Sequence, residues 1–508
     1  MDHQRKSKLF AKLFSDIIPM KLTQQAIPSL GKGGVTEEWL RQLFDKCADI
    51  RIRKFELGEP DCLQTVLLVS CEGLADMRQF NQYILPRLEQ MSLETSVHPE
   101  WKHEIDLVRF EKLEEIVTRV FSGQLVLYFS SLRELFSLDV ANMPNRNPEE
   151  SNTEISIKGP RDAFVENLNT NVALVRKRLK TTSLCYEQFT IGTRSESKVA
   201  LLYMEDFIRP EIIKEARKRL KHIDIEALLG SSQFEEILSD SSYSLFPLLT
   251  YTGRPDFVVD CLTRGRFAII VDDSPIAVIA PVNLSLLMKS PEDIYSPVQI
   301  VWFELFIRNA GLVIALFLPG FWLALASYNM EQLPFPLLAT LVMARHGLPL
   351  PGPLEAFLMI GLFELFKEAG IRLPKAVGQT IAVVGGIIVG DAVIRAGLAS
   401  TTMLVVSGLT AVATFTLVNQ TLSSAVSIAR LFIMLSSSLL GMYGFILSSI
   451  TLVLYFAKLE SFGVPYLAPL SPISPKELFA AIFKIPLKYS KRPQFVQKED
   501  TNRRGDNL

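Results

Sequence analysis

Charge is spread along this chain in a way that no single kind of fold satisfies. Between Pro291 and Pro475 roughly 17 formal charges fall in about 185 residues, whereas the other 323 or so carry about 90. A soluble surface needs charge, and a lipid-facing one excludes it. The pattern predicts a soluble region joined to a membrane region, and 508 residues suffice for several domains. With a net charge of −1 there is no basic excess to attract nucleic acid, and none is expected as a partner.

A spanning helix needs about 20 mainly apolar residues. Asn309 to Met330 offers an unbroken uncharged run, with Pro319 and Gly320 near its centre and Glu304 and Arg308 spaced i,i+4 just before it. Further spans are expected from Ala376, from Thr402 to Gln420 and from Leu431 to Ala457, four in all. Between Pro334 and Pro374 the apolar pieces are short and flanked by prolines and charges, which favours re-entrant or interfacial helices. Both ends of the chain are rich in Lys and Arg, so both are expected on the cytoplasmic side.

Polar residues inside that apolar stretch are the candidates for function. Ala382, Gly386 and Gly390 recur every four residues and form a face on which another helix can pack closely. Asp391 and Arg395 are one turn apart, either a local ion pair or part of a polar pathway. Glu364 and Glu368 share a helix face. Glu364 either contributes to a cation-attracting ring or packs in a salt bridge with Arg372 or Arg430. Glu355, nine positions earlier, falls about 180° round a regular helix and so cannot line the same conduit. Ser407, Thr410 and Thr414 form a weakly polar strip that lines a pore or bonds to neighbouring helices.

In the polar part of the chain, Thr65 to Gly73 and Lys198 to Asp206 are strand-like runs followed by helical segments, and the runs from Gly123 and Gly265 form a second matched pair. The expected fold class is an α/β soluble domain of two related subdomains followed by an α-helical multi-pass membrane domain. Its expected bounds are a basic segment 1–35, subdomains 36–145 and 155–290, a linker 146–154, a membrane domain 291–475 and a basic tail 476–508. Chemical motifs are sparse. GKGG at Gly31 lacks phosphate-loop spacing, His98 and His103 have no third ligand at metal spacing, and Asp272 and Asp273 suit a turn. The five cysteines include no C-x-x-C pair and read as buried thiols. The basic runs Arg176 to Lys180 and Ala216 to His222 suit solvated faces or anionic headgroups. No cofactor, metal or catalytic constellation is expected, and the chain reads as non-enzymatic.

Several segments in order, KGPRDAF (Lys158 to Phe164), ENLNTNVALVRKRL (Glu166 to Leu179), SLFPLLTYTGRPD (Ser244 to Asp256) and SPEDIYSP (Ser290 to Pro297), resemble the A subunit of the bacterial GerA spore-germination family. So do PFPLL from Pro334, ELFKEAGIRLP (Glu364 to Pro374) and SFGVPYLAPLSP (Ser461 to Pro472). The resemblance implies a nutrient germinant receptor in the spore inner membrane, working with B and C subunits. It further implies a homo-oligomer acting as an ion channel. Gly253, His346 and Asp391 depart from the family pattern, which usually has Glu, Glu and Gln there. Replacing Gly386 by Leu is expected to block close helix approach and lower the oligomer mass in mild detergent; an unchanged mass would remove that role.

Overall fold

The computed structural model describes residues 35–57, 64–88, 107–142, 158–372 and 390–470, apart from 111, 131, 132, 229, 232, 242 and 391. The first part contains two five-stranded antiparallel sheets. Strands β1 (Ile50–Leu57), β2 (Gln64–Cys71), β3 (Leu107–Phe110), β4 (Gln124–Phe129) and β5 (Glu134–Asp139) lie in the order β1-β2-β4-β5-β3. Strands β6 (Leu184–Ile191), β7 (Ser197–Met204), β8 (Thr250–Thr252), β9 (Phe267–Val271) and β10 (Ala277–Ala280) lie in the order β6-β7-β9-β10-β8. The two orders are the same, and the four apolar runs of the sequence occupy matching central places, β2 and β4 in one sheet, β7 and β9 in the other. These strands are buried on both faces, which is why they read as continuous apolar runs without alternation.

Helices α1 (Glu37–Leu43), α2 (Glu114–Val120), α3 (Leu168–Arg176), α4 (Pro210–Lys221) and α5 (Pro255–Thr263) accompany the sheets. Arg176, at the end of α3, joins the two halves. Its guanidinium forms a two-pronged pair with Asp49, both contacts 2.9 Å, and stacks over Phe121 at 4.3 Å. Both side chains are buried. Backbone bonds between Lys46, Ala48 and Tyr186 continue the link. Asp272 accepts the amide of Leu168 at the start of α3, and Asp273 takes a left-handed turn conformation, so both act in the turn. The arginines of the two basic runs are largely drawn into pairs: Arg178 with Asp162, Arg217 with Glu187, Arg219 with Glu215 and Asp240. Burial pushes the thiols of Cys47 and Cys185 up to about 12 and about 11, which keeps them protonated and unreactive at neutral pH.

The second part is α-helical: α6 (Val298–Tyr328), α7 (Phe335–Arg345), α8 (Gly352–Arg372), α9 (Thr401–Phe415) and α10 (Gln420–Lys458). Of these, α6 and α10 are long and apolar enough to cross a membrane. The helical stretch α10 is not straight. At Gly441 the backbone takes φ 60 and ψ −137, a conformation that favours glycine, and the chain reverses. A Cβ on Gly444 would lie 2.0 Å from the carbonyl oxygen of Ser436, eight residues back. Asn419, before the first limb, donates to Thr250, and Tyr455, near the end of the second, accepts from the amide of Leu245. Both feet of this hairpin therefore stand on the second sheet domain. The span expected from Leu431 to Ala457 is in fact split at Gly441, three residues after the run Ser436 to Ser438. Likewise, the pieces expected between Pro334 and Pro374 include a continuous 21-residue helix, α8.

Contacts fix the directions. Gly311 meets Thr416, Gly320 meets Ile433 and Ser437, and Tyr328 meets Ser438 and Gly441, so α6 and the first limb of α10 rise together. Phe445 returns past Phe321 and Phe317. Gly352 lies beside Ser327 at the far end, so α8 descends, as does α9, which begins beside α8's first turn and ends at Gly311.

Three motifs of the resemblance, KGPRDAF, SLFPLLTYTGRPD and SPEDIYSP, meet where the sheet domain joins α6. Arg254, almost wholly buried, binds Asp256 at 2.7 and 3.1 Å and Glu292 at 2.5 Å. Tyr295 donates to Asp256, the amide of Lys158 to Glu292, and the amide of Phe164 to the carbonyl of Gly253. Arg308 of α6 grips Asp293 through both nitrogens as well as its neighbour Glu304. After α10 the chain forms a short ribbon, β11 (Glu460–Ser461) and β12 (Val464–Pro465), bound to the second sheet domain through Ser461 to Leu248 and Val282, and Phe462 to Asp240.

Lys289 lies at this junction. Burial, reinforced by Arg264 and Arg266, pushes its ammonium down to about 7. Between that value and the ordinary lysine range near 10.5 the unfolded chain binds more protons than the folded one, so stability rises with pH. Unfolding of the full chain at pH about 7 and about 9 is expected to show a positive slope that Lys289→Met flattens; equal slopes would contradict it.

Candidate functional site

A charged side chain among apolar helices must bring its partners with it. Arg430, on the first limb of α10, is 3 % exposed and draws one group from each surrounding helix. From α8 comes Glu364 at 2.8 Å, from α9 the hydroxyl of Thr414 at 3.0 Å, and from α6 the carbonyl of Ala315 at 3.4 Å. Ser427, one turn earlier on α10, accepts from Arg430 at 3.3 Å and from Lys367 at 3.0 Å. Lys367 also binds Glu364 at 2.9 Å. Each oxygen of Glu364 thus faces a cation.

Glu364, Lys367, Thr414 and Arg430 line a cleft bounded by α8, α9 and α10, with Ser407, Thr410, Ile360 and Phe363 among its walls. Thr410 donates to the carbonyl of Val406, and Thr414 to that of Thr410. The polar strip of α9 therefore faces the cluster while its hydroxyl protons stay on its own backbone.

Glu355 belongs to a second polar station. It is buried at the far end of α8 and accepts both the amide and the hydroxyl of Ser400, the residue that caps α9. Arg345 of α7 approaches it at 3.9 Å and donates to the carbonyl of Ala326. Nine residues at about 1.5 Å each place the two glutamates roughly 13 Å apart along the helix, each with its own partners. Arg395 is exposed. Asp391, Ala382, Gly386 and the side chain of Arg372 lie outside the described residues. A Cβ on Gly390 would sit 3.5 Å from Leu404, an ordinary contact.

Sequence reading named Glu364 and Arg430 as possible partners but missed Lys367 and Ser427. Their signal was present in spacing: Lys367 follows Glu364 by three, and Ser427 precedes Arg430 by three, so each lies on its partner's helix face. The glycines that do allow close approach were also missed. A Cβ on Gly311 would lie 2.1 Å from Thr416 and one on Gly320 2.6 Å from Ile433. They are nine residues apart and form no four-residue repeat.

Because the two stations share no partner, their losses should add. Glu364→Gln is expected to cost about 1.5–3 kcal/mol, the scale of a hydrogen bond to a charged group, and Glu355→Gln a similar amount. Thermal unfolding of the two single variants and the double variant would check this; a departure from additivity above about 0.5 kcal/mol would mean the stations are coupled.

Comparisons with known proteins agree with the motifs. The family model described as Bacillus/Clostridium GerA spore germination protein matches residues 38–495. The chain is 41 % identical over 481 residues to spore germination protein XA of Bacillus anthracis, covering 93 % of this chain and 98 % of that protein. It is 34 % identical over 446 residues to the uncharacterized membrane protein YfkQ of Bacillus subtilis (strain 168), covering 87 % and 86 %. Among solved structures, the N-terminal domain of the A subunit of the Bacillus megaterium spore germinant receptor GerK3 matches at 28 % identity and a TM-score of 0.39, covering 51 % of this chain and 98 % of that one. With a family match and a relative that each span nearly its whole length, the chain belongs to the GerA family of spore germination proteins.

Proposed function

We propose that this protein is the A-type membrane subunit of a nutrient germinant receptor, acting with B and C subunits in the spore inner membrane and assembling with copies of itself into a nutrient-gated cation channel. The observation that carries the reading is a charged cluster built across four apolar helices of a GerA-family chain. A membrane setting is supported by the length and apolarity of α6 and α10 and by outward-facing Val405, Val412, Phe415, Leu439 and Tyr443, which are mostly exposed. The sheet domain then sits on the cytoplasmic side, with α6, the feet of α10 and the ribbon all meeting it.

In this reading the structure is a closed state. Glu364 is neutralised by Lys367 and Arg430, so a cation finds no free carboxylate until the helices shift. The saturation of both Glu364 oxygens also favours a second reading, in which the cluster is only a lock and the subunit is a scaffold that carries no flux. A secondary transporter is a third possibility, which would show saturable uptake.

Native mass of the full chain in lipid nanodiscs, followed by cation flux in liposomes with its partner subunits, separates these readings. A closed ring of several copies with nutrient-dependent flux that Glu364→Gln or Asp391→Asn alters supports the channel. A ring or a monomer without flux in the presence of nutrient overturns it in favour of the scaffold.

A further inference from the structure

Of five buried polar atoms without a hydrogen-bond partner among the described residues of the helical part, two line the same cleft: Nε of Arg430 and Oγ of Ser407. The other donors facing that space are accounted for. The terminal nitrogens of Arg430 are engaged by Thr414, Ala315, Glu364 and Ser427, and the threonine hydroxyls donate to backbone carbonyls. Lys367 gives two of its three protons to Glu364 and Ser427. What remains is a set of donors: a guanidinium N–H, a hydroxyl and an ammonium proton. Among the described residues lining the cleft, two cations face one carboxylate.

We propose that this cleft binds a small monovalent anion of halide size, with Arg430 Nε, Ser407 Oγ and Lys367 Nζ as the donors available to it. A cation is disfavoured because both Glu364 oxygens are already bonded to cations. A water molecule would satisfy the donors but bring no charge to balance the second cation lining the cleft. An anion does both. The ring of Phe363 bounds the space on the α8 side. The inference concerns the resting cluster and holds whether or not the protein conducts cations.

Thermal unfolding of the full chain in zwitterionic nanodiscs tests it, with sodium chloride exchanged for sodium gluconate at constant ionic strength. A ligand that binds only the folded state raises the midpoint in a saturable way, so chloride and bromide should stabilise where gluconate does not. Ser407→Ala should weaken the apparent chloride affinity about tenfold or more, the loss of one charge-assisted hydrogen bond. Equal midpoints in chloride and gluconate would mean water alone and overturn the proposal; an unchanged chloride response in Ser407→Ala would place the anion elsewhere and overturn it too. Should Ser407→Ala fail to fold, chloride-35 line broadening on the wild-type chain decides: excess broadening displaced by bromide supports the site, and none overturns it.

Discussion

An arginine in an apolar helix bundle cannot be indifferent to its neighbours, and Arg430 organises this one. Its charge cannot be buried alone without a penalty of several kcal/mol, so every helix that packs against the first limb of α10 must present an oxygen to it. The carbonyl of Ala315, the carboxylate of Glu364 and the hydroxyl of Thr414 arrive from three different helices. Apolar packing alone is tolerant of sliding, since one methyl group serves much like another. A guanidinium with directed donors fixes how far each helix may rise or turn. The register of α6, α8 and α9 about α10 is therefore specified by polar geometry, with the glycines at 311 and 320 bringing the backbones close enough to use it.

The sheet domains follow the same logic one level down. Two copies of one strand order meet through a buried arginine, Arg176, whose partner Asp49 comes from the other half. A third arginine, Arg254, gathers Asp256 and Glu292 at the join with α6. Three of the sequence motifs, KGPRDAF, SLFPLLTYTGRPD and SPEDIYSP, supply the residues of that third cluster. They build a joint.

Much of this was legible in the sequence. The charge partition located the apolar helices, the repeated strand runs located the two sheets, and the i,i+4 pair Glu304 and Arg308 reappears at 3.2 Å. What could not be read was long-range pairing. Arg372 and Arg430 both stood as partners for Glu364, and the meeting with Arg430, 66 residues on, depends on where helices descend. The reversal at Gly441 is hidden for a related reason. Ser436 to Ser438 and Gly441 stand at the turn, but serine and glycine are also common inside membrane helices, so they do not announce it.

That reversal has a mechanical side. The hairpin of α10 stands on the second sheet domain by both feet, at Asn419 with Thr250 and at Tyr455 with Leu245, and its tip lies about 30 Å away by helical rise. Two anchored feet resist stretching but allow tilting. A rocking of the sheet domain by about 5° would then carry the tip, and Tyr328 resting against it, sideways by roughly 3 Å, so the hairpin is a lever arm whose fulcrum is the sheet.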